Sequence, residues 1–251
     1  MAPLYNRRVL VLFTDFGNRD IYVGQVKAVL AARAPRVPLL DAAHDVIDFA
    51  VEPAAHLLAA LAGEYPRGSV FLAVVDPGVG GRREAIVVDA DGRSFVGPDN
   101  GLLSIVWQRA RARRCQRIAW RPARLSDSFH GRDLFAPVAA ALASGRVPRG
   151  WLAPTRAPAV LLDAGDHARV IYIDHYGNAV TGLRVRKLGR GSALRAGGRR
   201  IPHARIFEAV KTGEIFWYAN SMGLAEIAAN RASAARKLGL RVGSKVSAAG
   251  R

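Results

Sequence analysis

Short apolar runs and helical patterns alternate along the first two-thirds of the chain. Residues 9–13 (Val-Leu-Val-Leu-Phe) form an unbroken apolar run and predict a first strand. Ile21–Arg33 follows with helical spacing through Val23, Val26, Val29 and Leu30. Residues 37–40 predict a second strand, and Val51–Leu61 a helix opened by Glu52-Pro53. Residues 69–75 are apolar almost throughout, the pattern of a strand buried on both faces of a parallel sheet. Residues 85–89 and 94–96 predict shorter strands around the turn Asp91-Gly92. Residues 102–110 and 134–143 complete the helices. Strands alternating with helices predict a Rossmann-like layered α/β domain.

The pattern changes after Gly145. Three prolines, Pro148, Pro154 and Pro158, mark a linker. Beyond it the apolar runs are short, at 168–173, 179–185, 215–218 and 240–246, with Gly-rich turns such as Arg195-Ala196-Gly197-Gly198 between them. One helical patch, 224–238, interrupts them. These features predict a smaller β-barrel-like domain. The expected division is an α/β domain over 1–150, a linker over 151–165 and a β domain over 166–251.

Composition narrows the setting. Half of the 251 residues are hydrophobic, enough for a sizeable core. No apolar run approaches the roughly 20 residues of a membrane span. The polar start, 1–8, and the brief run after it do not make a signal peptide. The single cysteine, Cys115, allows no internal disulfide and fits a reducing cytoplasm. It sits among Arg113, Arg114 and Arg117 with no His or second Cys beside it, and is expected to be an incidental thiol. The net charge of +17 first suggests nucleic acid, but only five of the 37 basic residues are lysine and the arginines are dispersed. There is no RNA-recognition motif, zinc-finger spacing or basic tail with interleaved aromatics. A compositionally biased basic surface is the better reading, and nucleic acid is not the expected partner.

Three polar islands lie on Gly-rich turns after apolar runs, where α/β enzymes place their chemistry. They are Asp76-Pro77-Gly78-Val79-Gly80-Gly81-Arg82-Arg83, Gly97-Pro98-Asp99-Asn100-Gly101 and Ser128-Phe129-His130-Gly131-Arg132-Asp133. The first lacks the Gly-Lys-Ser/Thr ending of a phosphate loop, and its Asp76 and Arg83 are spaced to pair across it. Thr14-Asp15-Phe16-Gly17 follows the first strand, where an acidic residue is placed to accept from ribose hydroxyls or simply to cap a turn. No kinase-type Gly-rich or catalytic loop accompanies it. The six histidines form no zinc-ligand spacing, so no metal is expected. In the second domain, Asp174-His175-Tyr176-Gly177-Asn178 ends a strand, and an Asn there can read a base edge. Ser221, in Asn220-Ser221-Met222-Gly223, binds a charged group or caps a helix.

Taken in order, these islands resemble the S-adenosyl-L-methionine (SAM) hydroxide adenosyltransferases, relatives of the fluorinase and chlorinase, over nearly the whole chain. The resemblance implies hydrolysis of SAM to adenosine and L-methionine, with SAM as substrate and no cofactor. It implies a homotrimer whose active site lies at a subunit interface. The family's catalytic residues fall on Asp76, Arg83 and His130. Its ribose-binding Asp falls on Asp15, and its methionine-end Asp and Ser on Asp174 and Ser221. The adenine-reading Asn falls on Asn178, the adenine-contacting backbone on Asn230 and Arg231, and an aromatic over the substrate on Phe49. Ser128, Asn220 and Met222 depart from the family's usual residues. Water is a poor nucleophile at neutral pH, so the resemblance implies that Arg83 stabilises its hydroxide-like form while His130 either takes its proton or holds it. Two alternatives remain at this stage: chloride as the nucleophile, or a non-catalytic protein binding SAM, adenosine or nucleic acid.

Overall fold

A computed structural model describes residues 8–189 and 191–248. Residues 1–7, which belong to the polar start, and Arg190 lie outside them. The chain divides into two units between Ala164 and Gly165.

In the first unit the elements run β1 (Leu10–Thr14), α1 (Ile21–Arg33), β2 (Leu39–Ala43), α2 (Val51–Leu61), β3 (Val70–Val74), β4 (Ala85–Ala90), β5 (Arg93–Pro98), α3 (Ser104–Arg109), β6 (Arg113–Ile118), α4 (Ala136–Ala143) and β7 (Leu152–Thr155). They build one sheet of order β2-β1-β3-β5-β4-β6-β7. β2, β1, β3 and β5 are parallel, and β4, β6 and β7 continue it antiparallel. Every residue of β1 and β3 is buried. Leu10, Leu12, Val70, Leu72 and Val74 pack with α1 and α4, while the alternate Val11, Phe13, Phe71 and Ala73 are buried on the other face. The continuous apolar runs in the sequence follow from that double coverage. Asp20 opens α1 by accepting from the Ile21 N–H at 2.7 Å.

The stretch read as a linker starts as structure. Leu152–Thr155 pairs with β6 as the seventh strand, so the sheet takes in Pro154 with the two residues before it and the one after it. Pro is tolerated there because β7 is the sheet's edge.

The second unit holds β8 (His167–Ile173), β9 (Ala179–Arg184), β10 (Leu194–Ala196), β11 (Arg199–Ile201), β12 (Ile215–Ala219), β13 (Leu224–Ala229), α5 (Ala234–Leu238) and β14 (Ser247–Ala248). β12-β13-β9-β8 make a four-stranded antiparallel sheet, and β11-β10-β14 a three-stranded one. The expected helical patch over 224–238 is corrected. Its first six residues are a wholly buried strand between β12 and β9, and only its end is helical. Pairing on both edges overrides the helix propensity of its Leu, Ala and Glu residues. The strand expected over 240–246 is replaced by a loop with one bridge, Arg169–Lys245, before the short β14.

Candidate active site

Parallel neighbours β1 and β3 end side by side, so the residues just past them emerge at one edge of the sheet. Asp15 follows β1 and Asp76 lies two residues beyond β3. Both line a cleft of about 720 Å³ with Phe49, Val79, Phe129, His130 and Arg132. That volume suits a small organic ligand.

Asp76, Arg83 and His130 form one hydrogen-bonded chain. Arg83 Nε donates to both Asp76 oxygens, at 3.1 and 3.0 Å, and its Nη2 donates to Oδ2 as well. The same Nη2 lies 2.9 Å from His130 Nδ1. A guanidinium only donates, so Nδ1 is the acceptor and the neutral ring carries its hydrogen on Nε2. Burial, reinforced by the Arg83 charge, holds His130 below the ordinary histidine range. The Asp76 and Arg83 side chains are 5% and 11% exposed, so the pair is sheltered from screening.

Two glycines let the loops meet. Gly80 has φ +77°, and a side chain there would run into the Asp127 carbonyl. A Cβ on Gly131 would lie 2.9 Å from Phe16 Cζ. Gly131–Phe135 forms a π-helical turn ahead of α4, a local widening of the helix. Arg132 is clamped by Asp133, with Nε 2.6 Å from Oδ1, and Asp133 accepts from the Ser126 N–H at 2.9 Å. The Arg132 hydrogen bonds hold Asp133 below the usual carboxylate range.

Asp15 accepts from the Phe49 N–H at 3.2 Å. Burial raises its pKa, and the nearby Asp48 and Asp76 charges push the same way. Phe49 has φ +61° and is 70% exposed. An aromatic held in the left-handed region with its ring in solvent is strain placed at the cleft rim. Sequence reading missed the aromatic wall opposite. Phe16, Tyr22 and Phe129 meet with ring centroids 5.4–6.2 Å apart. Its signal was present, since Phe16 follows Asp15 and Phe129 precedes His130.

The island at 97–101 secures the site without lining it. Buried Asp99 accepts from the Ala159 N–H at 2.9 Å, and Asn100 Nδ2 donates to the Val75 carbonyl at 2.9 Å, next to Asp76. Cys115 is buried, and that burial pushes its thiol up to about 12.

The second unit has its own cleft of about 570 Å³, lined among others by Asp174, Asn178, Arg231, Tyr176 and Tyr218. Asn178 Nδ2 donates to Asp174 Oδ2 at 2.9 Å, across a turn that Gly177 takes at φ +84°. Asn230 turns its amide to the Val210 carbonyl at 2.8 Å and does not line the cleft. Ser221 sits exposed in the β12–β13 turn, also outside the lining.

Residues 10–150 match the family description "SAM hydroxide adenosyltransferase N-terminal domain", and residues 168–247 that of the C-terminal domain. A Thermus thermophilus protein named (R)-S-adenosyl-L-methionine hydrolase is 40% identical, over 98% of this chain and 99% of its own. A protein of the same name from Salinispora arenicola is 36% identical over 93% and 94%. A fluorinase from Actinopolyspora mzabensis is more distant, at 26% identity over 98% of each chain. Among solved structures, an uncharacterized conserved protein from Thermotoga maritima superposes with a TM-score of 0.86 at 31% identity, over 96% of this chain and 100% of the other.

Proposed function

Because the chain belongs to the SAM hydroxide adenosyltransferase family, we propose that it hydrolyses SAM to adenosine and L-methionine. The observation that carries this reading is the hydrogen-bonded Asp76–Arg83–His130 chain, whose Asp76 and His130 line a cleft of a size for a small organic ligand while Arg83 joins them from behind.

In this reading Asp15 accepts from the ribose hydroxyls and Phe49 covers the nucleoside. His130 donates its Nε2–H to the attacking water oxygen, because its Nδ1 lone pair is committed to Arg83. Asp76 keeps lone pairs beyond those Arg83 uses and accepts a hydrogen from that water. The Arg83 charge favours the hydroxide-like form as the bond develops. A C–O bond forms at C5′ while the C–S bond breaks. The sulfur leaves with its electron pair as the neutral thioether of methionine, and the proton passes through Asp76 to solvent. The sulfonium already supplies the driving polarity, so the step draws on no cofactor or metal. Alignment of water, C5′ and sulfur supplies much of the acceleration.

Asp174 and Asn178, with the backbone near Asn230 and Arg231, would take the methionine amine and the adenine, and Ser221 the amine as well. We infer that the working form is a cytoplasmic homotrimer in which one subunit's cleft is completed by a neighbour. Association with a neighbour is supported by the exposed apolar side chains Ile21, Tyr22, Ile47 and Phe49 on the first unit and Tyr176, Ile206 and Phe207 on the second. Sedimentation equilibrium should give the mass of three chains; a fully active monomer would remove the assembly from the account.

The activity itself is tested by incubating purified protein with SAM, with and without chloride, and separating the products. Adenosine and methionine in both conditions support hydrolysis. Chloride-dependent 5′-chloro-5′-deoxyadenosine, or only intact SAM, refutes it.

A further inference from the structure

The turn that carries Asp15 is held from beneath by a second set of polar groups. Thr14, the last residue of β1, is fully buried, and its Oγ1 lies 2.7 Å from His44 Nδ1. His44 is itself 2% exposed. Its Nε2 lies 3.0 Å from Asp41 Oδ1, and Lys27 Nζ of α1 donates to Asp41 Oδ2 at 2.6 Å. A carboxylate paired with Lys27 accepts, so Nε2 carries the hydrogen; in the neutral ring Nδ1 then accepts from the Thr14 hydroxyl. The Thr14 oxygen in turn accepts from the Phe16 N–H at 3.3 Å. His44 also acts through its backbone, because its carbonyl accepts from the Gly17 N–H at 2.8 Å. The next residue continues the clamp, with Asp45 Oδ1 accepting from the Asn18 N–H at 2.8 Å. One residue thus grips the Asp15-Phe16-Gly17 turn from both ends, and Lys27 and Asp41 fix the orientation of its ring.

We propose that His44 is a positioning residue for Asp15. Its imidazole sets the strand-end turn so that the carboxylate faces the ribose position. The proposal rests on the reading that Asp15 receives ribose hydroxyls. A buried histidine serving only the core would affect every ligand alike. A positioning residue affects those ligands whose hydroxyls Asp15 receives.

The test is calorimetric binding of adenosine and of 2′,3′-dideoxyadenosine, which lacks both ribose hydroxyls. Wild type should prefer adenosine by about tenfold or more, the scale of hydrogen bonds to a charged group. His44→Ala should lose most of that preference while its affinity for the dideoxy ligand stays within about twofold. His44→Asn, whose Oδ1 stands near the Nδ1 position and still accepts from Thr14, should restore it. Should His44→Ala fail to fold, Lys27→Met, a change at a partly exposed side chain, frees Asp41 and should still reduce the preference. Equal losses for both ligands, or an unchanged preference in the folded variants, overturn the proposal. So does a wild type with no preference, which removes the role of Asp15 as well. Binding needs no turnover: a wild type that prefers adenosine yet leaves SAM intact refutes hydrolysis and spares His44.

Discussion

Replacing His130 by Gln and by Ala separates a hydrogen-bond donor from a base. Arg83 Nη2 sits 2.9 Å from His130 Nδ1, which leaves Nε2 protonated and able only to donate. Burial and the Arg83 charge keep the ring neutral, so that hydrogen stays in place at neutral pH. A Gln amide reaches about as far as Nε2 and also donates; Ala offers nothing. On the scale measured for removing one preorganised active-site donor, losing the hydrogen bond to the attacking water costs about 2.7–4 kcal/mol, a factor of roughly 10²–10³ in kcat. His130→Ala should fall in that range, and His130→Gln should stay within about tenfold of wild type. The assay is steady-state adenosine release at saturating SAM, with thermal melts confirming that each variant is folded. A folded Gln variant as inactive as the Ala variant would refute the donor role and restore proton abstraction by His130.

The remaining predictions concern pH, packing and the thiol. A histidine with a lowered folded pKa contributes stability and activity above its unfolded value near 6.5, and both are lost as pH falls through the folded value. kcat should therefore fall on an acid limb lying below 6.5, and a limb above that value in a pH–rate profile would contradict the geometry. Asp15 has a raised pKa, so KM should begin to rise in acid above the usual carboxylate value of 3.8, a limb that Asp15→Asn should abolish. Gly131→Ala forces Phe16 Cζ away from a Cβ at 2.9 Å, and should cost about 1–3 kcal/mol in denaturant unfolding and raise KM. Cys115, pushed up to about 12, should react with a thiol reagent only as the chain unfolds, which a labelling series in urea would follow.

The sequence shows the first unit well where burial is complete. β1 and β3 are apolar at every position because both faces are covered, so their pattern admits few other readings. β13 was misread because Leu-Ala-Glu-Ile-Ala-Ala favours a helix locally, and only its pairing with β9 and β12 makes it a strand. β6 escaped notice because half of its six residues are arginine, and its Cys115 and Ile118 alone give no alternation. Within the site, Asp76, Arg83 and His130 were legible as chemistry-bearing types on glycine turns. The direction of each hydrogen bond was not, since it depends on which nitrogen faces Arg83. Nor could spacing show that Asp99 and Asn100 brace neighbouring backbone, because their partners Ala159 and Val75 are distant in sequence.

In the proposed reaction water attacks C5′ of SAM in the cleft shared by Asp15, Asp76 and His130. Turnover in oxygen-18 water, with mass spectrometry of both products, tests it most directly. The heavy oxygen should appear in adenosine, as its 5′ hydroxyl, and not in methionine. Adenosine without the label, label in methionine, or no adenosine at all would contradict it.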